Sequence, residues 1–192
     1  MSDSHTETSP DKRSEIVQQA YAVFFEQGCH ATAVDRLLEN SGISKRTLYK
    51  YFRSKEELVA AAVEYYRDKT FATVCAALDQ RCTDPREKIM AVFDLRREIL
   101  EAGDFSGCFA INAGLEYDGK DAAIQAACTS FVDRFEKLFL ELCQAAGLRD
   151  PAITTRQLMV LLEGTIVYGQ AKRDPAVASA ARAMATLLLA SA

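Results

Sequence analysis

Apolar residues recur at helical spacing along almost the whole chain, and each such stretch is bracketed by a residue that starts helices and one that stops them. Asp11 precedes Ile16, Val17, Ala20, Val23 and Phe24, and Gly28 ends the run. Thr32 precedes Val34, Leu37 and Leu38, before a Ser41-Gly42 turn signal. Ser44 opens a short segment through Tyr51, and Ser54 with Glu57 forms a capping-box pattern before a long segment reaching Arg81. Asp84-Pro85 and Pro151 open two more helices, because proline is tolerated in the first turn. A short helix near Cys108–Tyr117, a long one over about Asp121–Ala146 and an alanine- and leucine-rich one after Pro175 complete the pattern. No stretch alternates as a strand would. The expectation is an all-α chain of about nine helices. With 9 glycines and 4 prolines in 192 residues, a turn-rich β architecture is disfavoured.

The expected organisation is a short polar arm over residues 1–10, a small head over 11–53 and a larger body over 54–192. The arm lacks the basic and apolar regions of a signal peptide, and no apolar run is long enough to span a membrane, so a cytoplasmic protein with no membrane partner is expected. Six cysteines contain no C-x-x-C pair and read as reduced thiols. Cys75 and Cys82 share a helix face but lie about two turns apart, too far for a disulfide. His5 and His30 are remote from any cysteine pair, so neither metal nor cofactor is expected, and no nucleophile elbow, dinucleotide loop or phosphate loop is present. The chain is read as not an enzyme.

Net charge is −4, the wrong sign for a partner of nucleic acid. The sum hides a local asymmetry: Ser44–Lys55 holds five basic residues and no acid, whereas residues 71–192 are net acidic. Two short helices joined by a tight turn, Thr32–Asn40 and Ser44–Tyr51, have the dimensions of a helix-turn-helix, whose second helix enters the major groove of double-stranded operator DNA. Ser44 and Thr47 are small donors for phosphates. Lys45, Arg46 and Lys50 supply charge, Tyr49 and Tyr51 pair a ring with a hydroxyl, and Lys55 stands at a helix N-terminus that favours an anion. The competing reading is an ordinary solvated basic helix.

The motif Gly28-Cys-His-Ala-Thr32-Ala-Val34, then Ser41-Gly42-Ile43-Ser44-Lys45-Arg46-Thr47-Leu48-Tyr49-Lys50-Tyr51-Phe52 and Ser54-Lys55-Glu56-Glu57-Leu58, resembles the TetR family of bacterial regulators. The upstream pattern Arg13, Ile16, Ala20, Phe24 and Gly28 fits as well. The resemblance implies an all-α homodimer, usually a repressor, with a DNA-binding head and a body that dimerises and holds an inducer. It implies a phosphate held by Thr32, base and phosphate contacts from Lys45, Arg46, Thr47 and Lys50, and phosphate clamps at Tyr49, Tyr51 and Lys55. The chain departs from the family pattern at Leu38 and Ser41, where alanine is usual. The bulkier Leu38 is expected to shift the crossing of the two short helices.

In the body, the residues expected to line an effector pocket are Cys75, Phe93, Arg96, Cys108, Phe109, Asn112, Glu116, Phe131, Phe135 and Tyr168, with Phe71 and Tyr117 nearby. Few polar groups among many apolar ones suit a hydrophobic, aromatic or electrophilic small-molecule effector, although each of these residues also suits ordinary packing. Cys108 follows Gly107 at a helix start, where the dipole lowers a thiol pKa, and is read either as a sensor of reactive species or as a buried small hydrophobe. The expected dimer face comprises Leu158, Leu161, Leu162 and Thr165 with Val177, Ala181, Met184 and Leu188, joined as a two-fold four-helix bundle; the other reading is a monomer core. The alternatives to a ligand-released repressor are an activator of the same fold and a small-molecule-binding helical protein with a vestigial head.

Overall fold

The structure, a computed structural model, describes residues 11–39, 41–103 and 107–191. The expected arm over 1–10 and the centre of the 103–107 loop lie outside them. Nine helices and no strand are present among the described residues: α1 (Lys12–Gln27), α2 (Val34–Leu38), α3 (Lys45–Tyr51), α4 (Lys55–Arg81), α5 (Pro85–Glu101), α6 (Phe109–Tyr117), α7 (Ala122–Ala145), α8 (Pro151–Lys172) and α9 (Ala176–Ser191).

Most of the start signals act as read. Ser44 Oγ accepts from Thr47 N and Ser54 Oγ from Glu57 N. Asp84 and Asp121 cap α5 and α7 in the same way, each such bond satisfying an N–H that a helix start leaves without a partner. Glu57 also reaches back, but to the N–H of Arg53 (2.7 Å), one residue ahead of the cap. Two expectations fail. Asp11 stands at the cap position of α1 without a side-chain bond. Thr32 does not cap α2; Ala33 does, and the helix is shorter at both ends than Thr32–Asn40.

The head is α1, α2 and α3 gathered on the first turns of α4. Ile16, Val17, Ala20 and Phe24 of α1, Leu37 of α2 and Leu48 of α3 are buried against Leu58, Val59, Ala62 and Val63. α4 then continues past α1 to pack on α5, α6 and α7, so one rigid element belongs to both halves. α7 runs through the body, with Ile124, Cys128, Phe131, Phe135, Phe139 and Cys143 buried along one stripe. Leu138 and Leu142 are half-buried at its margin, because steps of four residues carry the buried line to Phe139 and Cys143. α8 lies on α7, and α9 covers α5 and α8. α9 is fastened by Arg182 Nε donating to Asp94 (2.8 Å) and by Arg86 donating to the Leu189 carbonyl (2.6 Å).

Candidate nucleic-acid interface and effector cavity

The two short helices α2 and α3 are joined by a turn whose chemistry is local. Ser41 Oγ donates to the Leu38 carbonyl (2.9 Å) and accepts from Ile43 N (3.0 Å), while Gly42 takes φ +67°. The serine at this departure from the family pattern therefore fixes the turn. Leu38, the last residue of α2, is half-buried against the core. Leu48 and Phe52 anchor the inner face of α3, and Arg13 of α1 lies over the Phe52 ring at 5.0 Å.

The outer face of α3 carries exposed Lys45, Arg46, Tyr49 and Lys50. Ser44 is exposed at the cap and shares a 2.8 Å hydrogen bond with the half-buried Thr47 hydroxyl. Lys45 Nζ is bonded to Asp35 on α2 (2.9 Å), which holds its pKa above the ordinary lysine value. Lys50 Nζ stands 5.6 Å from the centre of the Tyr51 ring, and Tyr51 itself is half-buried against the core. The face is thus cationic and aromatic, and α3 has the width that a major groove admits.

Two of the expected phosphate anchors are used otherwise. Thr32 is 1% exposed and its hydroxyl donates to the Gly28 carbonyl (2.7 Å). A buried hydroxyl committed to a helix end is not available to a phosphate. The Lys55 ammonium donates to the carbonyls of Cys29 (2.9 Å), Thr32 (3.2 Å) and His30 (3.4 Å). An ammonium has three donors, and these carbonyls take all of them. Lys55 thus binds the α1–α2 connection to α4.

The same connection is held from its other side. Glu116 of α6 accepts from Cys29 N (3.0 Å) and His30 N (2.6 Å), and the His30 ring meets Tyr117 edge-on at 4.4 Å. Glu116 therefore belongs to a seam between head and body and not to the pocket, contrary to expectation. Gly28 turns into the seam at φ +84°, ψ +151°, a conformation open in practice to glycine alone. Burial, then the nearby Glu116 carboxylate, push the Cys29 thiol up to about 12, so it is neutral there.

A cavity of about 370 Å³ lies in the body. Tyr66, Thr70 and Val74 of α4, Val92, Leu95, Arg96 and Ile99 of α5, Phe131 and Phe135 of α7, and Leu162, Glu163 and Ile166 of α8 line it, with Gly107 at its rim. Phe25 of α1 also reaches its wall, so the head touches the cavity directly. Arg96, Phe131 and Phe135 are where the sequence places them. The other expected lining residues are elsewhere. Phe93 is a core ring against Phe139, and Phe109 packs on Tyr21, Phe25 and Tyr66. Cys75 is half-buried on α4 outside the lining, as is Asn112 on α6. Of the two neighbours, the Phe71 ring meets Phe135 edge-on, and Tyr117 is buried in the seam.

Cys108 is 2% exposed behind the wall, and the Tyr66 hydroxyl donates to its Sγ (3.7 Å). Burial pushes its thiol up, against the backbone N–H groups of the α6 start, which pull it down. The dipole argument for a reactive thiolate at Cys108 is thus outweighed by desolvation, and the small-hydrophobe reading fits the geometry. No group of three or more His, Cys, Asp and Glu residues could hold a metal ion among the described residues.

Comparison with known proteins decides the kinship of this architecture. Residues 16–62 match the family model described as bacterial regulatory proteins, tetR family. An uncharacterised HTH-type transcriptional regulator of Mycobacterium tuberculosis is 30% identical over 173 residues, covering 84% of this chain and 86% of its own. The chain belongs to the TetR family. It is a helix-turn-helix transcriptional regulator. A crystal structure of a TetR-type regulator from Streptomyces avermitilis superposes with a TM-score of 0.82 at 26% identity, over 96% of this chain and 98% of that one. Partial matches include the repressor KstR2 and the activator FasR of Mycolicibacterium smegmatis, at 32% and 31% identity over 47% of this chain. KstR2 is covered over 43% of its length and FasR over 41%.

TetR regulators dimerise, and α8 and α9 leave an apolar outer face. Leu158, Leu162, Thr165 and Ala181, expected at the dimer interface, are buried inside the monomer instead. Leu161, Val177 and Leu188 are half-buried and Met184 is 50% exposed. Leu161, Met184 and Leu188 line an apolar groove with Ile153, Arg156, Gln157 and Val160. Val160, Val167, Tyr168 and Leu187 continue the exposed face. Tyr168, expected in the pocket, is 50% exposed here. Periodicity alone hid this, because α8 is apolar on most sides; only the packing of α7 and α9 tells its inner face from its outer one. No helix among the described residues is long and apolar enough to cross a membrane.

Proposed function

We propose that this regulator is a homodimeric repressor whose head (11–53) is released from operator DNA when a small molecule fills the cavity of its body (54–192), with no catalytic step of its own. The observation that carries the reading is the shared wall: Phe25 of α1 and Tyr66 of α4 both line the cavity, and these helices share the head's core with Leu37 of α2 and Leu48 of α3. Arg46, Tyr49 and Lys50, with Lys45 once it leaves Asp35, supply the DNA contacts. Ser44 and Thr47 orient the start of α3, and Tyr51 supports the face from beneath. The exposed α8–α9 face pairs with a second copy through Val160, Val167, Tyr168, Met184 and Leu187, with Leu161 and Leu188 at the groove. Such pairing puts two recognition helices about one DNA turn apart, roughly 34–36 Å. A ligand that displaces Phe25 or Tyr66 changes that spacing, and the Glu116 seam transmits the change from α6 to the α1–α2 connection.

Fluorescence anisotropy of a labelled fragment from upstream of the gene tests the reading. The expected result is tight binding that falls steeply with salt. Salt-independent or absent binding overturns it. A promoter fused to a reporter distinguishes repression from activation, and deletion of the regulator is expected to raise expression. Val160→Glu combined with Leu187→Glu is expected to yield a monomer by light scattering, with operator affinity lost.

A further inference from the structure

The chemistry of the cavity wall narrows what enters it. Most of the lining is aromatic or aliphatic, so the body of a ligand must be apolar. Among the lining residues the charged ones are Arg96 on α5 and Glu163 on α8. Glu163 Oε2 is buried and accepts no hydrogen bond among the described residues. A carboxylate left in that condition is costly, and a carboxyl group can escape the cost by taking a proton. A guanidinium has no such escape, since it stays charged throughout the accessible pH range. The two charges are therefore unequal partners for a ligand: the cation is permanent, the anion removable. A cationic ligand meets a charge that cannot be switched off, whereas an anionic ligand meets one that can. Arg96 also carries five N–H donors, enough to add a ligand oxygen to the contacts it already makes.

We propose that the effector is an apolar or aromatic acid whose anionic head lies against Arg96, and that its entry is coupled to uptake of one proton by Glu163. The protonated carboxyl then donates to the second oxygen of the ligand head, filling the position that is unsatisfied at Oε2. The proposal rests on the cavity being the effector site. The titratable and charged groups around Glu163 are Arg96 from α5, Tyr66 from α4 and Cys108 ahead of α6; α1 and α7 present only Phe25, Phe131 and Phe135. Burial holds Glu163 above its ordinary value, with Arg96 pulling the other way, and the phenol and thiol are both held in their neutral forms by burial. Glu163 is the group left to titrate. A second negative charge beside it raises its affinity for a proton further, so the complex holds more protons than the separated partners, and affinity rises as pH falls.

The test uses the full chain and three probes of one shape: 2-naphthoate, 2-naphthamide and 2-naphthylmethylamine. Calorimetric titration in two buffers of different ionisation enthalpy at neutral pH reads affinity and proton uptake together. The acid is expected to bind at least about tenfold tighter than the amide, as loss of a desolvated charge partner implies, with the amine weakest and net proton uptake for the acid alone. Glu163→Gln is expected to retain acid binding and lose the uptake. Arg96→Gln is expected to lose the preference for acid over amide. Equal or tighter binding of amide or amine, absence of proton uptake with the acid, or failure of all three to bind overturns the proposal. The wild-type probe series stands even if a variant fails to fold. Operator release in the same samples separates the two readings. An amide or amine that binds and frees the DNA leaves the effector site standing and sinks the acid. An acid that binds with uptake and leaves the DNA bound sinks the effector site alone.

Discussion

The recognition face of α3 and the wall of the cavity are made from the same kinds of side chain, and solvent makes them behave differently. Outside, Arg46, Tyr49 and Lys50 stand in water, where a charge costs little to hold and contributes little to folding. Inside, Arg96 and Glu163 face apolar rings, where each charge is expensive unless answered. On the proposed reading, the outer face recognises by summing many weak contacts along a polyanion, and the inner one by a single exchange of charge in a mostly apolar enclosure. Exposure, more than residue type, decides which kind of recognition a cluster of basic and aromatic residues performs.

The largest effect that separates the two regions concerns their rings. Phe131→Ala, in the wall and buried, is expected to cost about 3–5 kcal/mol in urea unfolding. Tyr49→Ala is expected to leave the urea midpoint unchanged while weakening operator binding. Equal destabilisation by both would break the comparison. Between the regions lies the seam, where Gly28→Ala forces a side chain onto a glycine-only backbone and is expected to cost about 1–3 kcal/mol, read as a lowered melting temperature. On the outer face, Arg46→Ala with Lys50→Ala is expected to reduce the slope of log affinity against log salt by roughly 2, about 0.9 for each phosphate no longer neutralised. An unchanged slope would mean that these cations read bases or touch no DNA. The smallest effect is on the pH dependence of stability. Glu163 has a folded pKa above its ordinary 4.5, so its contribution is greatest below that value and is lost as pH rises through the raised one. Glu163→Gln is expected to gain on the wild type at neutral pH and not in acid, by thermal melts across that range.

How much of this was legible in the sequence follows the range of the signals. Ser44, the Ser41-Gly42 turn and the buried Leu48 act within about ten residues, so α3 and its exposed cations could be read directly. Phe131 and Phe135 were readable because α7 is strongly one-sided. Tyr66 and Phe25 were not. α4 packs on α1, α5, α6 and α7, so no single apolar stripe singles out Tyr66. Glu163 does carry a signal in the sequence, as a lone carboxylate within the apolar run Leu158–Ile166. On α8 the inner line through Leu158, Leu162 and Thr165 and the outer line through Val160, Val167 and Tyr168 are equally apolar, and no count of hydrophobic residues could rank them. The roles of Thr32, Lys55 and Glu116 depend on contacts between residues 23 to 87 positions apart, or on which way a hydroxyl turns, and no local pattern encodes those.

The seam between head and body is built from the backbone of the α1–α2 connection. Lys55 takes its carbonyls and Glu116 takes two of its amides, so the side chains of His30 and Ala31, both exposed, take no part in those bonds. Ala31 is therefore free to drift over generations while the grip stays the same, whereas the His30 ring also packs on Tyr117. The two amides of Cys29 and His30 also form a built-in gauge. Their rate of exchange with deuterium reports whether Glu116 is holding them, and so registers the state of the joint without any label on the protein.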